Sequence, residues 1–248
     1  MPNLPAHIEL ARRVAERLEH PAIDAHMGHY LLGSTSPDVR AITRRSREEY
    51  HFAPLDFESV GTGVAGLFGS HPELSSAAAQ PEPLVAFIAG YLTHLVADEV
   101  WIVDMYRPFF GNRGVFDDGD VGNVMDRALQ LELDRQSWEA AETTRADLEM
   151  TLDGLDIGFI PPETLRDWQR WVLAVFDGGF SWERLKFMAR RISQGDEAHA
   201  AHGLAREFID AVPESIEQLY EIVPRRKLVD FQERAVEELV RTVGDYLQ

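Results

Sequence analysis

The sequence feature that most constrains the fold is an apolar stretch, Leu84 to Met105, with an imidazole and a carboxylate in its middle. Hydrophobic residues surround this stretch on nearly every side of a helix, which predicts a helix buried on all its faces. His94 and Asp98 are four residues apart, so both side chains project from one face of that helix. A buried ionisable group costs free energy unless it is paired or binds a metal. The segment alone leaves two interpretations open: half of a divalent-metal site, or a hydrogen-bonded His–Asp pair without a metal.

Helical periodicity dominates the rest of the chain, and no segment shows the alternation of a convincing strand. With 248 residues and 45% hydrophobic content, the chain is large enough for a sizeable core. We predict an all-α protein, a single multi-helix domain over residues 1–248 around a buried central helix at about residues 84–105. A motif-bearing part, residues 1–105, is followed by a helical C-terminal part, residues 123–248.

Composition limits the partners and the ligand types. The chain has 24 basic and 42 acidic residues, a net charge of -18, which argues against binding to a nucleic-acid backbone or an acidic membrane surface. Cysteine is absent, so histidine, aspartate and glutamate must hold any metal. The N-terminus shows no secretory signal, and no apolar stretch long enough to span a bilayer is free of charge. We therefore predict no transmembrane segment and a cytoplasmic location; the oligomeric state is left open.

Seven of the nine histidines lie in the N-terminal half, and two of them stand out beside the central helix. His7 shares a face with apolar residues of the first helix, and His51 lies between two aromatic residues in a proline-bounded loop. Asp38 ends a loop of small residues. Each of these alone fits a hydrogen-bonded core residue or a helix cap. Together with His94 and Asp98 they supply three imidazoles and two carboxylates, enough for one or two divalent ions.

Four ordered motifs resemble the bacterial zinc-dependent phospholipase C family, which is related to the P1-type nucleases. They are Pro-Ala-His at residues 5–7, Gly-Ser-Thr-Ser-Pro-Asp at 33–38, Tyr-His-Phe at 50–52 and Gly-Tyr-Leu-Thr-His-Leu-Val-Ala-Asp at 90–98. The resemblance covers about residues 1–105 and implies one or two Zn²⁺ ions, with another divalent metal as an alternative. The ligands that it implies are His7, Asp38, His51, His94 and Asp98, with Asp98 able to bridge two ions.

Two features depart from the family pattern. The secreted enzymes carry a signal and use their processed terminal amine as a ligand, whereas this N-terminus shows no such signal. They also have a further histidine and an HxxxE motif shortly after the HxxxD helix, but the next histidines here are His199 and His202. A third metal site is therefore unsupported, unless His199 and His202 rebuild it. For this pair, and for the pair His26 and His29, an exposed helix face is the simpler interpretation.

The resemblance implies a hydrolase in which a metal-activated water attacks a phosphoester, on a small-molecule or lipid substrate. Asp38 is the candidate for orienting or deprotonating that water, or is only a ligand. The basic residues Arg44, Arg45 and Arg47 lie between Asp38 and His51 in sequence, and guanidinium groups beside a metal site would attract phosphate. We predict that they bind the substrate, with a solvated basic helix as the alternative.

A second function fits the same residues. The chain would then be a non-catalytic helical protein whose metal site is structural or binds a ligand. A closed sphere of four protein ligands would favour that function, while an open coordination position would favour catalysis. Another helical face, with Asp126, Gln130 and Asp134, either approaches the site or faces solvent. The acidic residues Asp117 to Asp120 are most simply a turn, since they lack the other ligands of a calcium loop.

Overall fold

The computed structural model describes residues 1–111 and 114–248, and the regular elements of these residues are all helical. The prediction of an all-α fold is therefore confirmed. Short 3-10 turns cover Ser36–Val39, Pro72–Leu74, Ala77–Ala79 and Asp147–Glu149, and a π-helix spans Ile102–Phe110. The α-helices are α1 (Leu4–Leu18), α2 (Pro21–Ala25), α3 (Met27–Gly33), α4 (Arg40–Thr43), α5 (Glu48–His51), α6 (Thr62–Ser70), α7 (Glu82–Trp101), α8 (Gly119–Thr143), α9 (Pro162–Asp177), α10 (Arg184–Ile192), α11 (Ala200–Asp210), α12 (Glu214–Ile222) and α13 (Arg225–Leu247).

Helix α7 is the buried centre that the sequence predicts. It begins at Glu82 with Pro83 in its first turn, where the missing N–H of proline costs no helical hydrogen bond. Its residues from Leu84 to Trp101 are all buried, and the π-helix continues it without a break. By length and composition this continuous helix, Glu82–Phe110, could cross a membrane, but its apolar window lies wholly inside the protein, as is common for a core helix.

Two glycines let helices α3 and α7 pack backbone against backbone. A Cβ on Gly90 would lie 2.8 Å from the carbonyl carbon of Tyr30 and 3.0 Å from the amide nitrogen of Ser34. A Cβ on Gly33 would likewise lie 3.1 Å from the amide nitrogen of Tyr91. All three distances are shorter than an ordinary van der Waals contact, so only glycine allows this approach. The approach presses the loop that follows α3 against the middle of α7.

The C-terminal part packs around α8 and α13. Helices α1, α10, α11 and α12 contact α8, whereas α13 packs against α7 and α1. One apolar cluster contains buried residues from Leu4 to Tyr246, so this part shares its core with the motif-bearing part. The assignment of residues 1–248 to a single domain stays a prediction. The acidic turn before α8 caps that helix, since the Asp118 carboxylate accepts from the amide of Asp120 at 2.7 Å.

Candidate metal centre and the pocket beside it

Five side chains from four parts of the N-terminal segment meet beside α7. His7 comes from α1, Asp38 from the turn Ser36–Val39 and His51 from the end of α5, while His94 and Asp98 lie on α7. Potential ligand atoms lie within 4.8 Å of one another in two overlapping groups. The groups are His7, His94 and Asp98, and Asp38, His51 and His94. The structure thus brings together all five residues that the sequence singles out, and their role as ligands stays a prediction.

The Asp98 carboxylate is the centre of this metal-site cluster of five residues. Its Oδ1 lies 3.3 Å from Nε2 of His7, and its Oδ2 lies 3.2 Å from Nε2 of His51 and 3.7 Å from Nε2 of His94. The rings of His7 and His94 stack with centroids 3.7 Å apart. The carboxylate of Asp38 lies at the edge, with Oδ1 4.0 Å from Nε2 of His51. Every imidazole therefore directs the same kind of nitrogen toward one carboxylate.

Backbone carbonyls fix the tautomers of two of the histidines. Nδ1 of His94 lies 2.9 Å from the carbonyl oxygen of Ser34, and Nδ1 of His51 lies 3.2 Å from that of Arg47. A carbonyl oxygen only accepts, so Nδ1 of each ring carries a proton and donates it. In the neutral rings both Nε2 atoms then present lone pairs, and they face each other at 3.3 Å. Histidines that bind metals have this arrangement, in which a carbonyl holds the second ring N–H.

The cluster also contains buried polar atoms that find no partner. Among the described residues, Nε2 of His7 and Oδ1 of Asp98 are buried without a hydrogen bond. An unsatisfied buried polar group costs about 1–3 kcal/mol. A cation between these electron-rich atoms would remove that cost and the repulsion between the Nε2 lone pairs. The donor set of imidazole nitrogens and carboxylate oxygens suits Zn²⁺, so the residues present fit the metal.

The protonation states favour ligation. Burial and the neighbouring His7 lower the pKa of His94 well below its usual value, so its imidazole is neutral near pH 7. For Asp98, burial alone raises the pKa, but the surrounding histidines outweigh it and hold the pKa well below its usual value. A neutral imidazole and an ionised carboxylate are the forms that bind a metal.

The three arginines predicted to bind substrate lie in different surroundings. Nη2 of Arg47 lies 3.1 Å from Oδ2 of Asp98, and the Arg47 side chain is mostly buried. Arg44 and Arg45 are exposed, and Arg45 pairs with Glu49. Arg47 thus supplies a permanent positive charge to the cluster. A phosphate-binding role for these arginines stays a prediction.

Glu99 has a structural role that sequence analysis did not identify. Its buried carboxylate accepts hydrogen bonds from the amides of Gly61 at 2.5 Å and Gly63 at 2.6 Å. Burial raises the pKa of Glu99, and the two amide donors oppose this shift. The contact ties the start of α6 to α7. The available sequence signal is an acidic residue in an apolar helix together with a glycine-rich segment that offers free N–H groups.

Asp38 connects the cluster to solvent through a pocket. Its side chain is 32% exposed, whereas those of the three histidines and Asp98 are at most 2% exposed. The pocket has a volume of about 300 Å³ and combines apolar, aromatic and cationic walls. We call it the Trp171 pocket; its lining comprises Asn3, Leu4, Pro5, Asp38, Arg40, Ala41, Asp134, Trp168, Trp171, Val175, Arg184, Phe187, Met188 and Arg191. Of these lining residues, sequence analysis singled out Pro5, Asp38 and Asp134.

The other histidines lie outside the cluster. His199 caps α11 by accepting from an amide, and Nε2 of His202 lies 3.1 Å from the carbonyl oxygen of Asp196. His26 and His29 contact each other edge to face. Within the part of the chain that the structure describes, neither pair belongs to a candidate metal group. The structure therefore gives no support to a third metal site built from His199 and His202.

The polar face of α8 is buried, so the solvent-facing interpretation of this face is wrong. Oδ1 of Asp126 accepts from Nε1 of Trp101 at 2.9 Å, and Oδ2 accepts from Gln130 at 2.7 Å. Asp134 accepts from the amide of Asn3 at 2.9 Å. Burial raises the pKa of Asp134 to about 7, despite this hydrogen bond.

Comparison with known proteins agrees with the geometry. The model of the family described as zinc-dependent phospholipase C matches residues 6–101. No curated protein and no solved structure gives a significant match to the chain. The matched segment contains the whole metal-site cluster, from His7 to Asp98. By its motifs and this match, the segment from residue 6 to residue 101 is similar to the zinc-dependent phospholipase C family, and the match supports the resemblance that its motifs indicate.

Proposed function

We propose that this protein is a metal-dependent hydrolase of phosphoesters. One observation supports the proposal above the others: five nitrogen- and oxygen-donor side chains converge, and the cluster reaches solvent at Asp38. A catalytic metal site needs such an opening, because one coordination position must remain for water or substrate. The family match supports a hydrolase acting on phosphoester bonds, and the substrate and the number of ions belong to the proposal.

The residues of the cluster would hold zinc through Nε2 of His7, His51 and His94 and through the carboxylates of Asp38 and Asp98. When bound, zinc supplies Lewis-acid polarisation of a phosphoryl oxygen and lowers the pKa of water. The carbonyls of Ser34 and Arg47 hold two of the imidazoles in the tautomer that presents Nε2.

Asp38 has the position required of the proton acceptor. Its carboxylate is the one partly exposed member of the cluster and also lines the Trp171 pocket. In the proposed reaction the oxygen of a water molecule bonds to phosphorus as the bond from phosphorus to the leaving oxygen breaks. Asp38 accepts a proton from the attacking water and afterwards releases it to solvent, and the leaving oxygen takes up a proton from solvent to become an alcohol. Asp98, buried and paired with Arg47, is held too tightly for this role.

Asp38→Asn tests the assignment. The zinc-loaded variant and wild type would be compared on phosphomonoesters and phosphodiesters, with zinc content measured in the same samples. We expect kcat to fall at least tenfold more than zinc content, because the amide is a poor base. Asp210→Asn, an exposed site at the end of α11, is the matched control. Equal losses of activity and zinc would show that Asp38 is only a ligand.

A structural metal site is the second candidate function. Four of the five cluster side chains are at most 2% exposed, as expected for a site that holds a fold together. Hydrolysis separates the two functions, since chelation lowers stability in both. If zinc-loaded wild type hydrolyses none of a broad phosphoester panel, the structural site is correct.

A cytoplasmic location also remains a proposal, based on composition.

A further inference from the structure

The cationic wall of the Trp171 pocket lies beside Asp38 and contains Arg40 and Arg191, which form no ion pair within 4.0 Å among the residues that the structure describes. We propose that this pocket binds a phosphomonoester of a compact apolar or aromatic alcohol, with Arg40 and Arg191 receiving the phosphate. The hydrolysis of this ligand rests on the proposed function, whereas its binding to the pocket does not. The arginines at the pocket are therefore different from the run Arg44 to Arg47 that the sequence suggests.

The charge environment is the first argument. In a chain with 42 acidic and 24 basic residues, many arginines pair with carboxylates. Among the described residues, neither Arg40 nor Arg191 has a carboxylate oxygen within 4.0 Å, and no side-chain hydrogen bond is formed by either. Partial burial and the nearby charges of Arg40 and Arg127 lower the pKa of Arg191, against the effect of Asp38. Two guanidinium groups that repel each other beside a pocket form a site for an anion.

The aromatic wall is the second argument. The rings of Trp168 and Trp171 stack with centroids 4.9 Å apart, and Nε1 of Trp168 donates to Oγ1 of Thr35 at 3.1 Å. Trp168 is fixed in this way, whereas Trp171 is 38% exposed and Phe187 is 59% exposed. The Arg191 guanidinium lies over the Phe187 ring, 5.2 Å from its centroid. Bare aromatic surface beside cations predicts a ligand with an apolar or aromatic part attached to an anionic group.

Size and charge select the phosphomonoester. A volume of about 300 Å³ is at the lower end for ligand pockets, about 300–1,000 Å³, so two long acyl chains do not fit. A monoester carries nearly two negative charges near pH 7, which matches two guanidinium groups better than the single charge of a diester does. Because Asp38 belongs to both the pocket and the cluster, the bound phosphorus would lie beside the metal ligands. Water would cleave the monoester to the alcohol and inorganic phosphate.

Binding is tested without turnover. Zinc-loaded full-length protein would be titrated calorimetrically with phenylphosphonate, an aryl anion that cannot be hydrolysed, and with inorganic phosphate. We expect Arg40→Gln and Arg191→Gln each to weaken both probes about tenfold or more, as for a lost charge-assisted hydrogen bond. Arg190→Gln is the matched control, an exposed neighbour on α10 that lines a different pocket. Trp171→Ala should weaken phenylphosphonate while leaving inorganic phosphate unchanged.

Turnover separates this inference from the proposed function. The zinc-loaded protein would be given 4-nitrophenyl phosphate, bis(4-nitrophenyl) phosphate and vesicles of long-chain phosphatidylcholine. We expect the monoester to have the highest kcat/KM, with Arg191→Gln raising its KM. Arginine-dependent binding with no hydrolysis would support the pocket and contradict the proposed function. Faster hydrolysis of the diester or the vesicles, or equal binding by Arg191→Gln and Arg190→Gln, would overturn the inference.

Discussion

Replacement of Gly90 by alanine is expected to destabilise the protein by about 2 kcal/mol. Alanine in an open helix position is more stable than glycine by about 1 kcal/mol. At Gly90, however, the new Cβ would lie 2.8 Å from the carbonyl carbon of Tyr30 and 3.0 Å from the amide of Ser34. Overpacking costs about 1–3 kcal/mol, and the cost is at the upper end here because the obstructing atoms belong to backbone. The net loss is the difference between the two effects.

Urea denaturation of matched variants measures this difference. Gly203 is the control, because it lies in α11 and a Cβ there would meet nothing within 4 Å. Gly203→Ala should therefore gain up to about 1 kcal/mol, so the two variants should differ by about 3 kcal/mol. Equal stability of Gly90→Ala and Gly203→Ala would refute the role that we assign to the contact between α3 and α7.

The same substitution should weaken the metal site. Separation of α3 from α7 moves the carbonyl of Ser34 away from Nδ1 of His94, which it now meets at 2.9 Å. Loss of a hydrogen bond to a ligating histidine costs about 10–100-fold in metal affinity. Zinc titration should therefore show weaker binding by folded Gly90→Ala and unchanged binding by Gly203→Ala. Equal affinity would contradict the argument that this carbonyl orients His94.

Three further predictions concern stability. Chelation should lower the Tm of wild type and of His202→Ala but not that of His94→Ala, since metal at 100 times Kd stabilises a protein by about 2.7 kcal/mol; identical melting curves of wild type with and without chelator would exclude a coupled metal. The buried Asp134 carboxyl has its pKa raised from 3.8 to about 7, so its stabilising contribution is complete below pH 3.8 and is lost as the pH rises through about 7. Urea denaturation of Asp134→Asn should show a flatter dependence on pH between these values, and an unchanged slope would contradict the burial argument. Glu99→Gln should lower the free energy of unfolding by about 2 kcal/mol, because the side-chain NH2 of glutamine would face the backbone N–H of Gly61 or Gly63, which the carboxylate now accepts from. A loss under about 0.5 kcal/mol would show that this contact is weak.

The central helix could be anticipated because its signal is local, and the convergence of five residues could be anticipated because the order of the motifs resembles a known family. The apolar run from Leu84 to Met105 has few alternatives to a buried helix. The spacing of His94 and Asp98 places them on one helical face, whatever surrounds it. The positions of His7, Asp38 and His51 were inferred from the resemblance, because no local sequence pattern indicates that α1, the turn Ser36–Val39 and α5 meet beside α7.

The arginines show what sequence proximity does not reveal. Arg44 adopts a left-handed conformation, φ 59°, and ends α4. After this turn Arg44 and Arg45 are exposed, whereas Arg47 reaches Asp98. Arg191 is far from Asp38 in sequence, and the two residues come near each other because both line the Trp171 pocket. A pocket assembled from distant helices leaves no spacing pattern in a single sequence.

Diffraction at the zinc absorption edge tests the central claim most directly, that the five side chains hold a metal. In crystals of the zinc-loaded protein we predict one or two anomalous peaks beside Asp98, about 2.0–2.2 Å from Nε2 atoms of the clustered histidines and from the carboxylate oxygens. Zinc found elsewhere, such as at His199 and His202, with none at the cluster would contradict the account.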